Sequence, residues 1–171
     1  YGQAAIITNE VRSDNCFSNG NSGRYSTQAE FEYNENTGYI WDNAYSVIAN
    51  ANIVINTDLT GLEGDLDYGS HLQGEALAIR ALAHYDLLRN FGQQHTANGM
   101  LGVPIVTTFK GDSESLSPSR NTIDEVKNAI YTDLQSAYDM MDTQYNSKVF
   151  ISKMAAKALE SRVAIYFGDW T

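Results

Sequence analysis

Polar side chains and aromatic rings are mixed near the amino terminus, in a stretch without a helical pattern. Arg12, Asp14 and Asn15 can hydrogen-bond hydroxyl groups, and Phe17 and Tyr25 offer flat apolar faces. A sugar ring is recognised by this mixture, because an aromatic face packs on its apolar side while polar groups at the edge bind its hydroxyls. Loop polar residues are more often only solvated. The candidate ligand-binding residues are therefore Arg12, Asp14, Asn15 and Tyr25.

Catalytic and metal-binding chemistry has weaker support in the sequence. Glu10 with Asp14, or Asp112 with Glu114, fits the acid pair of a glycosidase, but neighbouring acids are expected in a chain with 21 acidic residues. The three histidines show no i, i+4 pairing with one another or with cysteine, and no nucleophile elbow, phosphate-binding loop or dinucleotide motif occurs. The sequence predicts no catalytic residue, no metal site and no cofactor.

Composition narrows the classes of partner. The 171 residues fit one domain, and 11 basic against 21 acidic side chains give a net charge of −10, which disfavours nucleic acid and anionic membranes. Cys16 is the only cysteine, so no internal disulfide can form. The chain starts at Tyr1 without a targeting signal and ends just after a helical pattern. We expect a single domain over residues 1–171 that is a piece of a longer polypeptide.

Four helices are predicted to position these residues. The first covers about residues 37–58, and the second covers residues 74–92 with an apolar stripe at three- and four-residue steps: Leu77, Ala81, Tyr85, Leu88 and Phe91. Ser70 and Gln73 fit a capping box at the start of the second helix, and Gly92 fits a left-handed residue at its end. Start and end of this helix are thus predicted from local signals.

The second half of the chain repeats this design after a long connection. About thirty residues follow Gly92, and the apolar residues 101–106 within them are expected to lie as an extended strip against the helices. Thr122 and Glu125 form a second capping box, which starts the third helix. Ser152 can cap the fourth helix, and Gly168 can end it.

The second and fourth helices look like copies of one unit. Arg80 and Arg162 occupy matching places in them, 82 residues apart, which favours a stack of antiparallel helix pairs. Both arginines are interpreted as structural, with a packed stem and a head that pairs with a carboxylate or carbonyl. The fold class is therefore all-α, built from antiparallel helix pairs with long loops.

Five segments in a fixed order carry a family likeness over about residues 39–170. The first three are Trp41-x-x-x-Tyr45-x-x-Ile48-x-x-Ala51-Asn52, Glu75-Ala76-x-x-x-Arg80-Ala81-x-x-x-Tyr85-x-x-Leu88-x-x-Phe91-Gly92 and Gly102-Val103-Pro104. The last two are Pro118-Ser119-Arg120-x-Thr122-x-x-Glu125-x-x-x-x-Ile130-x-x-Asp133-Leu134-x-x-Ala137 and Ala155-Ala156-x-Ala158-Leu159-x-x-Arg162-Val163-x-x-Tyr166-x-Gly168-Asp169-Trp170. Together they make a combination that resembles the SusD/RagB family.

This resemblance implies a fold and a function. It implies helix pairs similar to tetratricopeptide repeats, in the amino-terminal part of a surface-exposed lipoprotein of the bacterial outer membrane. It also implies that the protein binds a glycan, without catalysis, and delivers it to a SusC-like TonB-dependent transporter. We expect the lipid anchor that the resemblance implies to lie outside this chain, because Cys16 lies inside it.

Two other interpretations of the sequence stay open. In one, the chain is a helical-repeat scaffold that binds another protein and has no sugar site of its own. In the other, which has less support, it is a glycoside hydrolase built on helices. The identity of the glycan is not encoded in a readable pattern, because a few loop substitutions change which hydroxyls are bound.

Overall fold

All regular secondary structure in the described part of the chain is helical. The structure is a computed structural model that describes residues 3–32, 40–108 and 117–170, with side chains from residue 6 onward. The chain divides into two compact units, Tyr1–Tyr45 and Ser46–Thr171, which we describe separately. The prediction of one domain over residues 1–171 stays a prediction.

The first unit holds two short helices joined by turns. They are α1 (Gln3–Glu10) and α2 (Ser26–Ala29). Three residues between the two helices have positive φ values: 73° at Gly20, 64° at Gly23 and 58° at Tyr25. Glycine suits the left-handed region, whereas Tyr25 is held there as the residue immediately before α2.

The second unit is built mainly from long helices. They are α3 (Ile40–Ile55), whose residues from Ser46 onward belong to this unit, α4 (Leu66–Phe91), α5 (Ile123–Met140) and α6 (Lys153–Phe167). Short 3₁₀ turns lie at His95–Ala97 and Thr143–Tyr145. The predicted helix over about residues 37–58 corresponds to α3.

Side-chain bonds show that successive helices run in opposite directions. Gln73 Nε2 donates to the Thr57 carbonyl over 2.8 Å, and seven residues later Arg80 bonds to the earlier Asn52. The same arginine bonds to Asp133 of α5, while the Asp142 amide, beyond the end of α5, donates to His71 near the start of α4. In each pair, later residues of one helix bond to earlier residues of the other. This confirms the predicted all-α fold of antiparallel helix pairs.

The core lies between α4 and α5. Its fully buried side chains include Ala81, Leu87, Ile130 and Leu134. A Cβ atom added to Gly74 would lie 2.7 Å from Met141 Cγ and 3.1 Å from the Ala137 carbonyl oxygen. The missing side chain therefore lets the two helices approach closely, as close packing of a helix pair requires.

Three predicted helix ends are confirmed. The Thr122 and Glu125 side chains each accept a bond from the other's backbone amide, which completes the capping box of α5. Ser152 Oγ accepts from the Ala155 amide at the start of α6. Gly168 ends α6 with φ 75° and ψ 24°, the left-handed conformation that glycine adopts without steric cost.

The predicted start of the second helix is wrong, whereas its predicted end at Gly92 is confirmed in position but not in conformation. α4 begins at Leu66, because Asp65 Oδ1 accepts the Tyr68 amide and caps it, so Ser70 lies within the helix. Gln73 instead bonds to the carbonyls at the end of α3. Gly92 has φ −68° and ψ 159°, so it is extended and not left-handed. A glycine fits there for another reason: an added Cβ would lie 2.5 Å from the Leu88 carbonyl oxygen.

Candidate functional site

The predicted ligand residues lie in irregular chain between α1 and α2, which we call the N-terminal turn segment (residues 11–25). Asp14 and Asn15 are exposed, and Arg12 and Tyr25 are half-buried. Phe17, the ring in the middle of the segment, has 85% of its surface exposed. The segment therefore presents both hydrogen-bonding groups and an uncovered aromatic face.

Local hydrogen bonds shape the N-terminal turn segment. Asn15 Nδ2 donates to Glu10 Oε2 over 3.1 Å, and Ser13 Oγ donates to the Glu10 carbonyl over 2.8 Å. Further along, Ser18 Oγ donates to the Arg24 carbonyl over 3.2 Å. The structure thus joins Asn15 to Glu10, and the grouping of Arg12, Asp14, Asn15 and Tyr25 into one site stays a prediction.

A buried charged cluster lies between α3, α4 and α5. Arg80 donates from Nε and Nη2 to both carboxylate oxygens of Asp133, over 2.8 and 2.7 Å, and from Nη1 to Asn52 Oδ1 over 2.8 Å. All three residues are buried. This bidentate pairing confirms the structural interpretation of Arg80. Arg162 is exposed on α6, so the expectation that it is packed like Arg80 is wrong.

The cluster continues into an extended segment, residues 101–108, which we call the anchored strip. Asn52 Nδ2 donates to the Val106 carbonyl over 3.0 Å, and His84 Nε2 accepts from the Val106 amide over 3.4 Å. Asn121 Oδ1 accepts from the Ile105 amide over 2.9 Å. Val103 is fully buried, which confirms the predicted extended strip against the helices.

Burial sets the protonation state of His84. Removal from water, and secondarily the positive charge of Arg80, lower the pKa of His84 to about 4. The imidazole is therefore neutral near pH 7 and can accept the Val106 amide. The sequence pattern did not predict this role of His84. It also did not predict that the side-chain amides of Asn52 and Asn56 donate to the carbonyls of Val106 and Thr107 in the strip.

A polar cleft lies between α5 and α6. Tyr131, Glu160, Ser161 and Asp169 line it. Asp169 accepts from Lys127 Nζ and from Tyr131 Oη, each over 2.8 Å, and the Lys127 bond is the main reason for the lowered pKa of the Asp169 carboxyl. The Asp169 carboxylate is thus already paired with two side chains of α5.

Two features are absent from the described ranges of the chain. In residues 3–32, 40–108 and 117–170, no three His, Cys, Asp or Glu side chains come together in a way that could hold a metal ion. None of the helices in these same ranges has both the length and the hydropathy needed to cross a bilayer.

Comparison with known proteins places this geometry in a family. Residues 3–165 match the SusD-like family, whose description is starch-binding and associating with the outer membrane. The SusD-like protein P38 of Formosa agariphila is 29% identical over 179 aligned positions, which cover 99% of this chain and 32% of that protein.

Solved structures agree with the fold. A SusD superfamily protein from Bacteroides thetaiotaomicron superposes with a TM-score of 0.74 at 30% identity, over 85% of this chain and 33% of that one. A SusD-like carbohydrate binding protein from Bacteroides vulgatus reaches a TM-score of 0.80 at 21% identity, over 99% of this chain and 37% of that one; at that identity the likeness concerns the fold alone. The chain thus spans about a third of the length of the relatives it matches.

Proposed function

This chain belongs to the SusD-like family, and from that membership we propose that it is part of a protein that binds polysaccharides or oligosaccharides at the bacterial outer membrane. The observation that carries the proposal is the family match over residues 3–165. The antiparallel helices α3–α6 supply a rigid frame, and irregular segments outside the frame are available for a ligand.

We further propose that binding is non-catalytic and that the complete protein is a surface-exposed lipoprotein that delivers its glycan to a SusC-like TonB-dependent transporter. Isolation of the complete protein from outer membranes tests the partner: the transporter is expected to co-purify with it, and its absence from a stable preparation contradicts this part of the proposal.

Within this chain, we propose that the N-terminal turn segment contributes to the glycan site. The ring of Phe17 is uncovered, and the exposed carboxylate of Asp14 lies three residues before it. Arg12 and Asn15 supply donors for sugar hydroxyls. Replacing both Arg12 and Asn15 by Ala is expected to weaken glycan binding about tenfold or more, since one hydrogen bond to a charged group contributes about 1.5–3 kcal/mol.

Glycan binding itself is tested by calorimetry and affinity electrophoresis of the complete protein against a panel of polysaccharides. We expect saturable binding to at least one member of the panel. Unchanged affinity in the Arg12→Ala/Asn15→Ala variant would contradict the proposed site and leave the proposed function standing. Binding to no glycan, together with binding to another protein, would favour the helical-repeat scaffold.

The same panel of glycans distinguishes non-catalytic binding from glycoside hydrolysis. Each glycan is incubated with the protein, and new reducing ends are measured over time. We expect none above the protein-free control. Release of reducing ends that disappears when one carboxylate is replaced, for example Glu10→Gln, would contradict the non-catalytic proposal.

A further inference from the structure

An apolar groove runs along the surface between α3 and α4, within the second unit. It has a volume of about 420 Å³. Its floor is made of small residues and its walls of larger aliphatic ones: Ala51 and Ala76, and Val47, Val54, Leu72 and Ile79. The wall residues Val54, Leu72 and Ile79 are 41%, 37% and 39% exposed. Aliphatic surface that is grouped in this way marks an interaction site more often than scattered exposed residues do.

The two sides of the groove have the same spacing. Val47, Ala51 and Val54 follow one another at four- and three-residue steps on α3. Leu72, Ala76 and Ile79 do the same on α4, which runs in the opposite direction. Each stripe covers eight residues, or about 10 Å of helix. The groove therefore presents two parallel ridges over two helical turns, with small residues between them.

This shape and chemistry select the kind of occupant. The residues that line the groove include no aromatic ring, and Asn50 and Glu75 are the polar side chains among them, so the groove lacks the aromatic platform on which a sugar ring packs. A third helix fits better, because its large apolar side chains can enter a groove floored by alanine, as ridges pack into grooves between helices. Such a helix would carry apolar residues at i, i+3 or i+4, and i+7.

The relatives indicate where such a helix comes from. This chain corresponds to 32% of the Formosa agariphila protein and 33% of the Bacteroides thetaiotaomicron chain, so about two thirds of each lies outside the match. In stacked helix pairs, each pair buries apolar surface against a neighbouring pair. We propose that the α3/α4 groove binds an amphipathic helix of the same polypeptide from outside residues 1–171.

Cysteine labelling of the complete polypeptide tests this proposal. Cys16 is exposed and is first replaced by Ser. Leu72→Cys and Val54→Cys probe the groove, and Ile53→Cys is the matched control, because Ile53 lies beside Val54 on α3, is 55% exposed and does not line the groove. With the helix bound, maleimide is expected to label the two groove positions at least tenfold more slowly than the control. Each rate is first divided by the labelling rate of the same cysteine in the unfolded protein.

A photo-crosslinking residue at position 72 identifies the occupant by mass spectrometry. The expected product is an intramolecular crosslink to a peptide outside residues 1–171 with the apolar spacing given above. If all three cysteines label slowly, this crosslink shows whether such a helix occupies the groove. Equal labelling rates at positions 54 and 53 would overturn the proposal. So would protection that depends on protein concentration or on added transporter, a crosslink to a second copy, or a complete gene product that ends at residue 171.

Discussion

The N-terminal turn segment and the anchored strip are both irregular chain, yet their polar side chains have opposite uses. In the turn segment the bonds are local, such as Asn15 to Glu10, and Phe17 is left 85% exposed. In the strip the bonds cross long sequence distances, as from Asn52 to the Val106 carbonyl and from the Val106 amide to His84, and both of these side chains are buried.

This difference separates stability from recognition. Buried polar groups that hold a strip lose much free energy when a partner is removed, because the remaining group is left without its hydrogen bond in a site that water cannot easily reach. Exposed groups with local bonds lose little, because water replaces the partner. Substitutions in the strip and its cluster should therefore change the free energy of unfolding, and substitutions in the turn segment should change ligand affinity.

The largest loss of stability is expected for Asp133→Ala. This change leaves the Arg80 guanidinium buried without its carboxylate, which costs about 3–5 kcal/mol for a buried pair. Urea unfolding measures the loss. The surface pair Lys157–Glu160 provides the control, because both side chains are 29% or more exposed and Glu160→Ala should cost less than about 1 kcal/mol. Equal effects of the two changes would contradict the comparison.

The protonation of His84 should make stability depend on pH. The pKa of His84 is lowered from 6.5 to about 4 in the folded protein, so below pH 6.5 the unfolded chain binds a proton that the folded chain does not. Stability therefore falls as the pH falls from 6.5 to about 4 and levels off below that, by about 3 kcal/mol in total at about 1.4 kcal/mol per pH unit.

The His84 contribution is isolated by comparison with a His84→Gln variant. Unfolding free energies of both proteins are measured between about pH 7 and pH 4, and the exposed carboxyls titrate alike in both. The difference between the two curves is assigned to His84. Parallel curves over this window would show that the imidazole titrates alike in the folded and unfolded chain, which contradicts its burial against Arg80.

Asn52→Ala should cost about 2 kcal/mol, because it leaves the Val106 carbonyl and Arg80 Nη1 each without a partner. The matched control is Asn50→Ala on the same helix. Asn50 is exposed and its amide bonds only to the Ser46 carbonyl one turn earlier, so alanine should be neutral or slightly stabilising there. Chemical unfolding distinguishes the two variants, and a loss at Asn52 no larger than at Asn50 would contradict the anchoring role.

Features that depend on residues close together in the sequence could be predicted better than features that depend on distant residues. The Thr122–Glu125 capping box and the Gly168 helix end depend on residues within one turn, and both are confirmed. The start of α4 depends on local signals as well, but Ser70 and Asp65 both fit a cap and the structure uses Asp65. A local pattern thus predicts that a helix exists better than it predicts its first residue.

The roles of Asn52 and His84 could not be predicted in this way. Asn52 is a weak helix former by residue type. Its structural role depends on its bonds to Arg80 and Val106, which are 28 and 54 residues away in the sequence. His84 likewise bonds to a residue 22 positions later. The candidate ligand residues differ again: Asp14 and Asn15 are exposed and Arg12 and Tyr25 are half-buried, and their grouping around a sugar stays a prediction.

The smallest effect on stability is expected at Phe17, where the effect on binding is the test. Phe17→Ala removes a ring that is 85% exposed, so the free energy of unfolding should stay within about 0.5 kcal/mol of the parent. A stacked ring contributes about 1 kcal/mol to a contact, so affinity for a bound glycan should fall about fivefold.

Phe150→Ala is the matched control for Phe17→Ala, because this ring is also exposed, at 64%, but lies in the second unit before α6. Calorimetry with the glycan found in the panel should give parent-like affinity for this variant. If Phe17→Ala instead lowered the unfolding free energy by more than about 2 kcal/mol, the turn segment would behave like the anchored strip. Stability and recognition would then not be separated between the two regions, because an exposed ring would be as important to folding as a buried cluster.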